Sequence, residues 1–289
     1  MNMKMKKLLL LASLLCFAGG EASAEVKLMG FNVRYNTPKD TGETNWEVRK
    51  FAIRKMMMTV LPDVVAVGEA RTRMREDLLE LLPDYALIAI PGTGTRQGAN
   101  TTILYNRKTV KLLKQGWFFH SATPDEPSMC WDATGKQWRG TCWGLFKEKA
   151  TGKKFYFFAT HLCLGIKNCD LEAKLNSALL NVDKMQEIAG ENAPVFITGD
   201  MNASYEGDDV RRWGLQPFYY WMKNARDIPG GNDEPTFNAF GKMEITPKHT
   251  IDHFFYRNAA VSKFENLNEP LWGVPYISDH YPVMATCDL

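Results

Sequence analysis

The sequence predicts a layered α/β fold, and three observations carry that expectation. Short, nearly continuous apolar runs, among them 63–69 and 195–198, read as strands buried on both faces. Between such runs lie stretches with apolar residues at helical spacing, Trp46, Ile53, Met56, Met57 and Val60 in one and Leu171, Leu175, Leu179, Val182, Met185 and Ile188 in another. Several apolar runs also end in polar side chains, which a layered fold gathers at one edge of its sheets. No internal period and no long Pro/Ser/Gly linker divides the chain, so residues 25–289 are expected to form one domain.

The first 24 residues stand apart from that domain. Lys4, Lys6 and Lys7 precede an apolar run over 8–17, broken only by Ser13, and Ala22-Ser23-Ala24 follows as a small-x-small cleavage site. This is the pattern of a secretory leader, cut after Ala24, and the apolar run is too short for a membrane span. A lipid anchor at Cys16 is disfavoured because the bulky Leu15 precedes it. The whole chain has 35 basic and 33 acidic residues; without the leader 32 of each remain, so the formal charge of +2 belongs to the leader. The expected product is an exported, periplasmic or secreted monomer with no stable membrane insertion. Neutrality removes the global basic surplus that non-specific nucleic-acid binding usually uses, without excluding a local basic face at Arg71, Arg73 and Arg75, which reads as a solvated helix face. Five cysteines remain, Cys130, Cys142, Cys163, Cys169 and Cys287, with no zinc-type spacing. Cys163 and Cys169 could be bridged or could both be thiols; the sequence leaves the pairing open.

In chain order, 26–33 reads as a strand, and Thr44 or Asn45 can cap a helix that Pro62 stops. The buried strand 63–69 ends in Glu69. A helix over 74–82 leads to strands at 85–90 and 101–105, joined by the Gly-rich 92–98, which lacks the Gly-Lys-Ser/Thr ending of a phosphate loop. The aromatic stretch 116–140 reads as a long ordered loop containing His120, a candidate to reach substrate. A hairpin, 142–148 and 154–160, ends in Thr160-His161. After the helix over 171–188, strand 195–198 runs into Gly199-Asp200-Met201-Asn202. Two last strands, 250–256 and 281–287, are flanked by Asp252 and by Asp279-His280, while His249 and His253 read as surface or supporting residues.

The informative set is Asn32, Glu69, His161, Asp200, Asn202, Asp252, Asp279 and His280, polar residues at the ends of apolar strands. Charges abutting such strands should meet water, a metal or a cationic partner. Around them stand Gly30-Phe31-Asn32-Val33-Arg34, Pro62-Asp63-Val64-Val65-Ala66-Val67-Gly68-Glu69, Thr160-His161-Leu162, Gly199-Asp200-Met201-Asn202-Ala203, Thr250-Ile251-Asp252-His253-Phe254-Phe255 and Ser278-Asp279-His280-Tyr281-Pro282-Val283. In kind and order these six motifs resemble the endonuclease/exonuclease/phosphatase superfamily, the DNase I-like fold. The resemblance implies a four-layer α/β sandwich, two mixed sheets packed face to face with helices outside, and metal-assisted phosphoester hydrolysis. Glu69, Asn32 and Asp279 would hold the metal, whose all-oxygen set suits Mg²⁺ or Mn²⁺. Asp200 would orient and deprotonate water, with Asn202 fixing the Asp or the phosphate. Asp252 would orient His280 against the phosphate, and His161 would stabilise charge or assist the leaving oxygen.

Two departures qualify the resemblance. Leu162-Cys163-Leu164 follows His161 where exported bacterial members often have Phe-Asp-His, and Ala99 stands where many members place a Glu that would pair with His161. The leading expectation is an exported phosphoesterase acting on a phosphate ester, a small molecule favoured. A nuclease on DNA or RNA is the close alternative. A sphingomyelinase-like lipid phosphodiesterase would use the loop from Trp131 to Trp138, and a non-catalytic binding module would have lost site residues that are all present here.

Overall fold

The computed structural model describes residues 25–91, 100–131, 138–164, 168–205, 210–269 and 271–289, the side chains of 168–170, 210 and 211 apart. The expected leader, the Gly-rich 92–98, Ala99 and most of the loop between Trp131 and Trp138 lie outside the described residues. Sixteen elements follow in order: β1 (Glu25–Asn32), α1 (Trp46–Val60), β2 (Val64–Gly68), α2 (Thr72–Leu81), β3 (Tyr85–Ala89), β4 (Thr102–Asn106), β5 (Val110–Phe119), β6 (Gly140–Glu148), β7 (Lys154–Thr160), α3 (Asn168–Ala189), β8 (Val195–Asp200), α4 (Gln216–Trp221), β9 (Lys223–Asn224), β10 (Asp252–Arg257), β11 (Ala260–Asn266) and β12 (Val283–Asp288). Among the described residues no helix is long and apolar enough to cross a membrane.

The strands form two six-stranded sheets, ordered β11-β12-β1-β2-β4-β3 and β5-β6-β7-β8-β10-β9. Both are mixed. Each holds one parallel pair, β1 with β2 and β7 with β8, and a helix, α1 or α3, makes the crossover that parallel neighbours require. Alternation along the strands sorts the side chains into layers. Val26 and Leu28 of β1 join Phe155, Phe157, Phe196 and Phe254 in a core between the sheets. Met29 and Phe31 face outward onto α1 and α2, while Val195, Ile197 and Phe255 do the same beneath α3 and α4. Helix, sheet, sheet, helix is the order of the four layers.

The same parity aims the polar ends. Asn32 continues the inward set of β1, His161 that of Phe155, Phe157 and Ala159, Asp200 that of Phe196 and Thr198, and Asp252 that of Phe254. Asp200 and Asp252 are register partners. Two glycines let backbones approach here, Gly30 between the sheets and Gly199 within one of them, where β8 neighbours β7. A Cβ on Gly30 would run into the Thr198 hydroxyl, and one on Gly199, whose φ is 147°, would strike the Thr160 carbonyl.

Three strands depart from the expectation, the two-residue β9 among them. Trp117, Phe118 and Phe119 belong to β5, not to a loop; β5 is an outer strand whose burial alternates poorly and whose register shifts between Leu112 and Lys114, which blurs the period-2 signal. The strand β11 was not expected. It lies on the edge of its sheet, with Ser262, Lys263 and Glu265 giving it a loop-like composition.

Candidate active site

All eight strand-end residues meet at one edge of the paired sheets. Asp200 is the hub: its Oδ1 accepts the Asn202 amide at 2.9 Å, and its Oδ2 accepts Asn32 Nδ2 at 3.1 Å. The same Oδ2 lies 3.3 Å from His161 Nε2 and 3.7 Å from His280 Nε2. Across the ladder, Asp252 Oδ2 lies 2.8 Å from His280 Nδ1. Thr236 Oγ1 accepts the amides of Ile251 and Asp252, each at 3.0 Å, and so seats that carboxylate.

Electrostatics follow from this packing. Burial pushes the His280 imidazole down, but the Asp252 and Asp200 carboxylates outweigh it and hold the ring at about 10. His280 is therefore an imidazolium at neutral pH. Burial would raise Asp200, yet the histidines His161 and His280 keep it well below the usual carboxylate range. With His280 doubly protonated, its Nε2 and Asn32 Nδ2, 3.4 Å apart, are two donors converging on one carboxylate rather than a bonded pair.

On the other flank, Glu69 Oε2 accepts the Tyr35 amide at 2.9 Å. Burial raises Asp279, Glu69 adding to the effect while His280 and Arg34 oppose it, so the two carboxylates sense each other as like charges. Arg34 lies 3.5 Å from Asp279 and 3.1 Å from Asp40. Arg34, Glu69 and Asn202 all hold positive φ, at 54°, 65° and 49°. Such backbone costs a non-glycine residue free energy and clusters where geometry serves a site.

Buried cations that the sequence did not single out hold these segments. Arg49 is fully buried and donates to the carbonyls of Thr44 (2.7 Å), Val33 (2.7 Å), Ile277 (3.0 Å) and Arg34 (3.1 Å), which ties α1 to the backbone beside Asn32 and Asp279. Burial lowers its guanidinium to about 10. Lys174 of α3, also fully buried, donates from Nζ to the Asn202 carbonyl and supports that strained turn. A cation on a buried helix face was the available signal, since neither partner lies near in sequence.

Other expectations need correction. His120 does not reach the site opening: it is fully buried, bonded to Thr141 Oγ1 at 2.9 Å and approached by Asn181 Nδ2 at 3.2 Å. The other two histidines are not among those corrections: His253, expected at the surface or in support, is buried with Nε2 2.7 Å from the Ala203 carbonyl, and His249 belongs to a local turn with Thr246. The arginine run is not one solvated face. Arg73 is exposed, Arg75 is buried with Nε on the Ala70 carbonyl at 2.7 Å, and Arg71 lies over the Tyr35 ring, 4.2 Å from its centroid. Cys142 and Cys287 are buried thiols. Cys163 packs with Cys130, and the Cys169 side chain lies outside the described residues.

Two donor sets could hold a cation. Atoms of Asp200, Asp252 and His280 lie within 4.8 Å of one another, but His280 Nδ1 and Asp252 Oδ2 are already committed to each other at 2.8 Å. Glu69, Asp279 and the amide oxygen of Asn32 fit a hard divalent ion better: all are oxygens, and the mutual repulsion of two part-buried carboxylates is what a cation relieves.

The sequence model of the Endonuclease/Exonuclease/phosphatase family matches residues 154–280. No curated protein matches the sequence. Among solved structures the chain is similar to an endonuclease/exonuclease/phosphatase from Bacteroides vulgatus, with 29% identity and TM-score 0.79 over 92% of this chain and 99% of that one. It is also similar to a mannosyl-6-phosphatase from Bacteroides thetaiotaomicron, with 26% identity and TM-score 0.77 over 91% of this chain and 99% of that one. A likeness in fold alone extends to D. rerio TDP2 complexed with single-strand DNA product, at 18% identity and TM-score 0.70 over 92% and 100%. These matches bear out the superfamily resemblance that the six motifs carry, and with it the phosphoesterase fold.

Proposed function

Starting from that superfamily, we propose that the protein is an exported, Mg²⁺- or Mn²⁺-dependent phosphoesterase that hydrolyses small phosphate esters. The observation that carries the reading is the buried Asp252, His280, Asp200 relay, with an imidazolium between two carboxylates at the edge of the sheets. Phosphoryl transfer needs water held in line and charge stabilised on the equatorial oxygens. Asp200, ionised and acceptor-only, holds the attacking water and takes its proton as the new P–O bond forms. Its low affinity for protons rests on His161 and His280; as these turn their N–H groups to the phosphoryl oxygens, the carboxylate becomes a better base. The ester P–O bond breaks on the face opposite the water, its oxygen leaving with a proton from solvent, while His161, 3.3 Å from Asp200, stabilises charge on the phosphoryl oxygens. Asn202, fixed by its side-chain bond to the Leu162 carbonyl at 3.1 Å, keeps Asp200 in line. A divalent ion on Glu69, Asp279 and Asn32 would supply further positive charge beside the phosphate.

The ranking of a small ester over nucleic acid is supported by the neutral charge of residues 25–289 and by a relative described as a mannosyl-6-phosphatase. The test is a panel of phosphomonoesters, sugar phosphates included, with phosphodiesters, DNA, RNA and sphingomyelin, in Mg²⁺, Mn²⁺ and EDTA. Metal-dependent release of phosphate from a small monoester is expected. Preferential cleavage of nucleic acid with steep salt dependence would replace the substrate assignment, and hydrolysis of no phosphoester would end the reading.

A further inference from the structure

Residues 236–240 run antiparallel to 278–281 along the rim of the site. The Tyr281 amide donates to the Thr236 carbonyl at 2.6 Å, and the amides of Asn238 and Ala239 donate to the Asp279 carbonyl at 2.7 and 3.2 Å. Phe237 and His280 are bridge partners, their rings edge to face with centroids 5.1 Å apart. In that register Asn238 stands opposite Asp279, and opposed antiparallel residues share a face.

Asn238 is only 2% exposed. Its Oδ1 accepts the Phe240 amide at 2.8 Å, but its Nδ2 meets no acceptor among the described residues. A buried amide donor left unmatched is uncommon and costly. The two residues that follow, Ala239 and Phe240, both hold left-handed backbone, with φ of 50° and 56°. The turn is pinned by the Phe240 ring, 5.5 Å from the Arg49 guanidinium. Strain and an orphaned donor thus coincide beside Asp279 and His280, where an acceptor would arrive with the substrate.

We infer that Asn238 is a substrate-binding residue whose Nδ2 donates to a non-bridging phosphoryl oxygen. The assignment rests on the phosphoesterase reading and extends its site to a side chain outside the six motifs.

Asn238→Asp and Asn238→Ala separate this role from a structural one. The Asp variant keeps an oxygen for the Phe240 amide and removes the donor; the Ala variant removes both and adds no charge. KM, the inhibition constant of inorganic phosphate, Mn²⁺ affinity by titration and Tm are measured for both. Phosphate affinity is expected to fall roughly 10-fold or more in each, as loss of one charge-assisted hydrogen bond implies. Mn²⁺ affinity should not fall, and Tm should drop in both, in the Ala variant through loss of the Phe240 contact and in the Asp variant through a buried charge beside Asp279. Wild-type phosphate affinity in Asn238→Asp, or a loss that tracks weakened Mn²⁺ binding, overturns the inference. An inactive wild type would instead remove the reading beneath it.

Discussion

His280 and His120 are both buried, but what surrounds them differs. His280 has Asp252 at 2.8 Å and Asp200 at 3.7 Å. His120 has no acid beside it among the described residues: it meets the hydroxyls of Thr141 and Thr160 and the Asn181 amide, with Arg139 and His161 adding repulsion. Burial drives an imidazole toward the neutral form, and for His120 it does so, to about 3. Around His280 two acids reverse the outcome, to about 10. The lesson is that this fold installs charge through acids at the strand ends, whereas the polar cluster behind His161 is a neutral plug joining β5, β6 and α3 through Thr141 and Asn181.

The largest effect should come from removing one acid. Asp252→Asn keeps the shape but lets the ring lose its proton and its orientation, so kcat should fall by about 10³-fold or more. In the metal-free protein, NMR should place the wild-type His280 transition near pH 10 and the variant's well below it. The raised folded pKa stabilises the wild type fully below pH 6.5, and that contribution is lost as pH rises through about 10. An unchanged His280 titration in Asp252→Asn would break the comparison.

Next in size is Gly30→Ala. Its Cβ presses on Thr198 and parts the sheets beneath the 3.1 Å contact of Asn32 with Asp200. Overpacking of this kind costs about 1–3 kcal/mol, read as a lower Tm, with activity falling alongside.

A smaller effect concerns His120 and has the opposite sign in pH. Its folded pKa is depressed, so the unfolded chain takes up the proton first; stability is whole above pH 6.5 and is lost as pH falls toward 3. Thermal melts from pH 7 to 4 should show this acid loss, and His120→Gln should lose less over the same range. The smallest effect is Lys108→Ala: with both side chains of the Lys108 and Asp84 pair exposed, Tm should move by less than the equivalent of about 0.5 kcal/mol, and kcat/KM should not change.

The strand ends were legible in the sequence because short apolar runs locate strands and a polar residue at the end of one is conspicuous. Asn32, Asp200 and Asp252 point inward by the same alternation that buries Leu28, Phe196 and Phe254. What stayed hidden depends on distance along the chain. Arg49 acts on the Ile277 carbonyl, Lys174 on that of Asn202, and Thr236 on the amide of Asp252, contacts that leave no local pattern. The edge strands β5 and β11 were lost because their outer faces are solvated and their alternation is weak.

The central claim is that this strand-end cluster hydrolyses phosphoesters through Asp200. It is tested most directly by comparing kcat of the wild type and Asp200→Asn on the best small phosphate ester, in Mg²⁺ and in EDTA, with Tm measured alongside. The account predicts metal-dependent turnover in the wild type and a loss of about 10³-fold or more in a variant that remains folded. Turnover in a folded Asp200→Asn at the wild-type rate would contradict it.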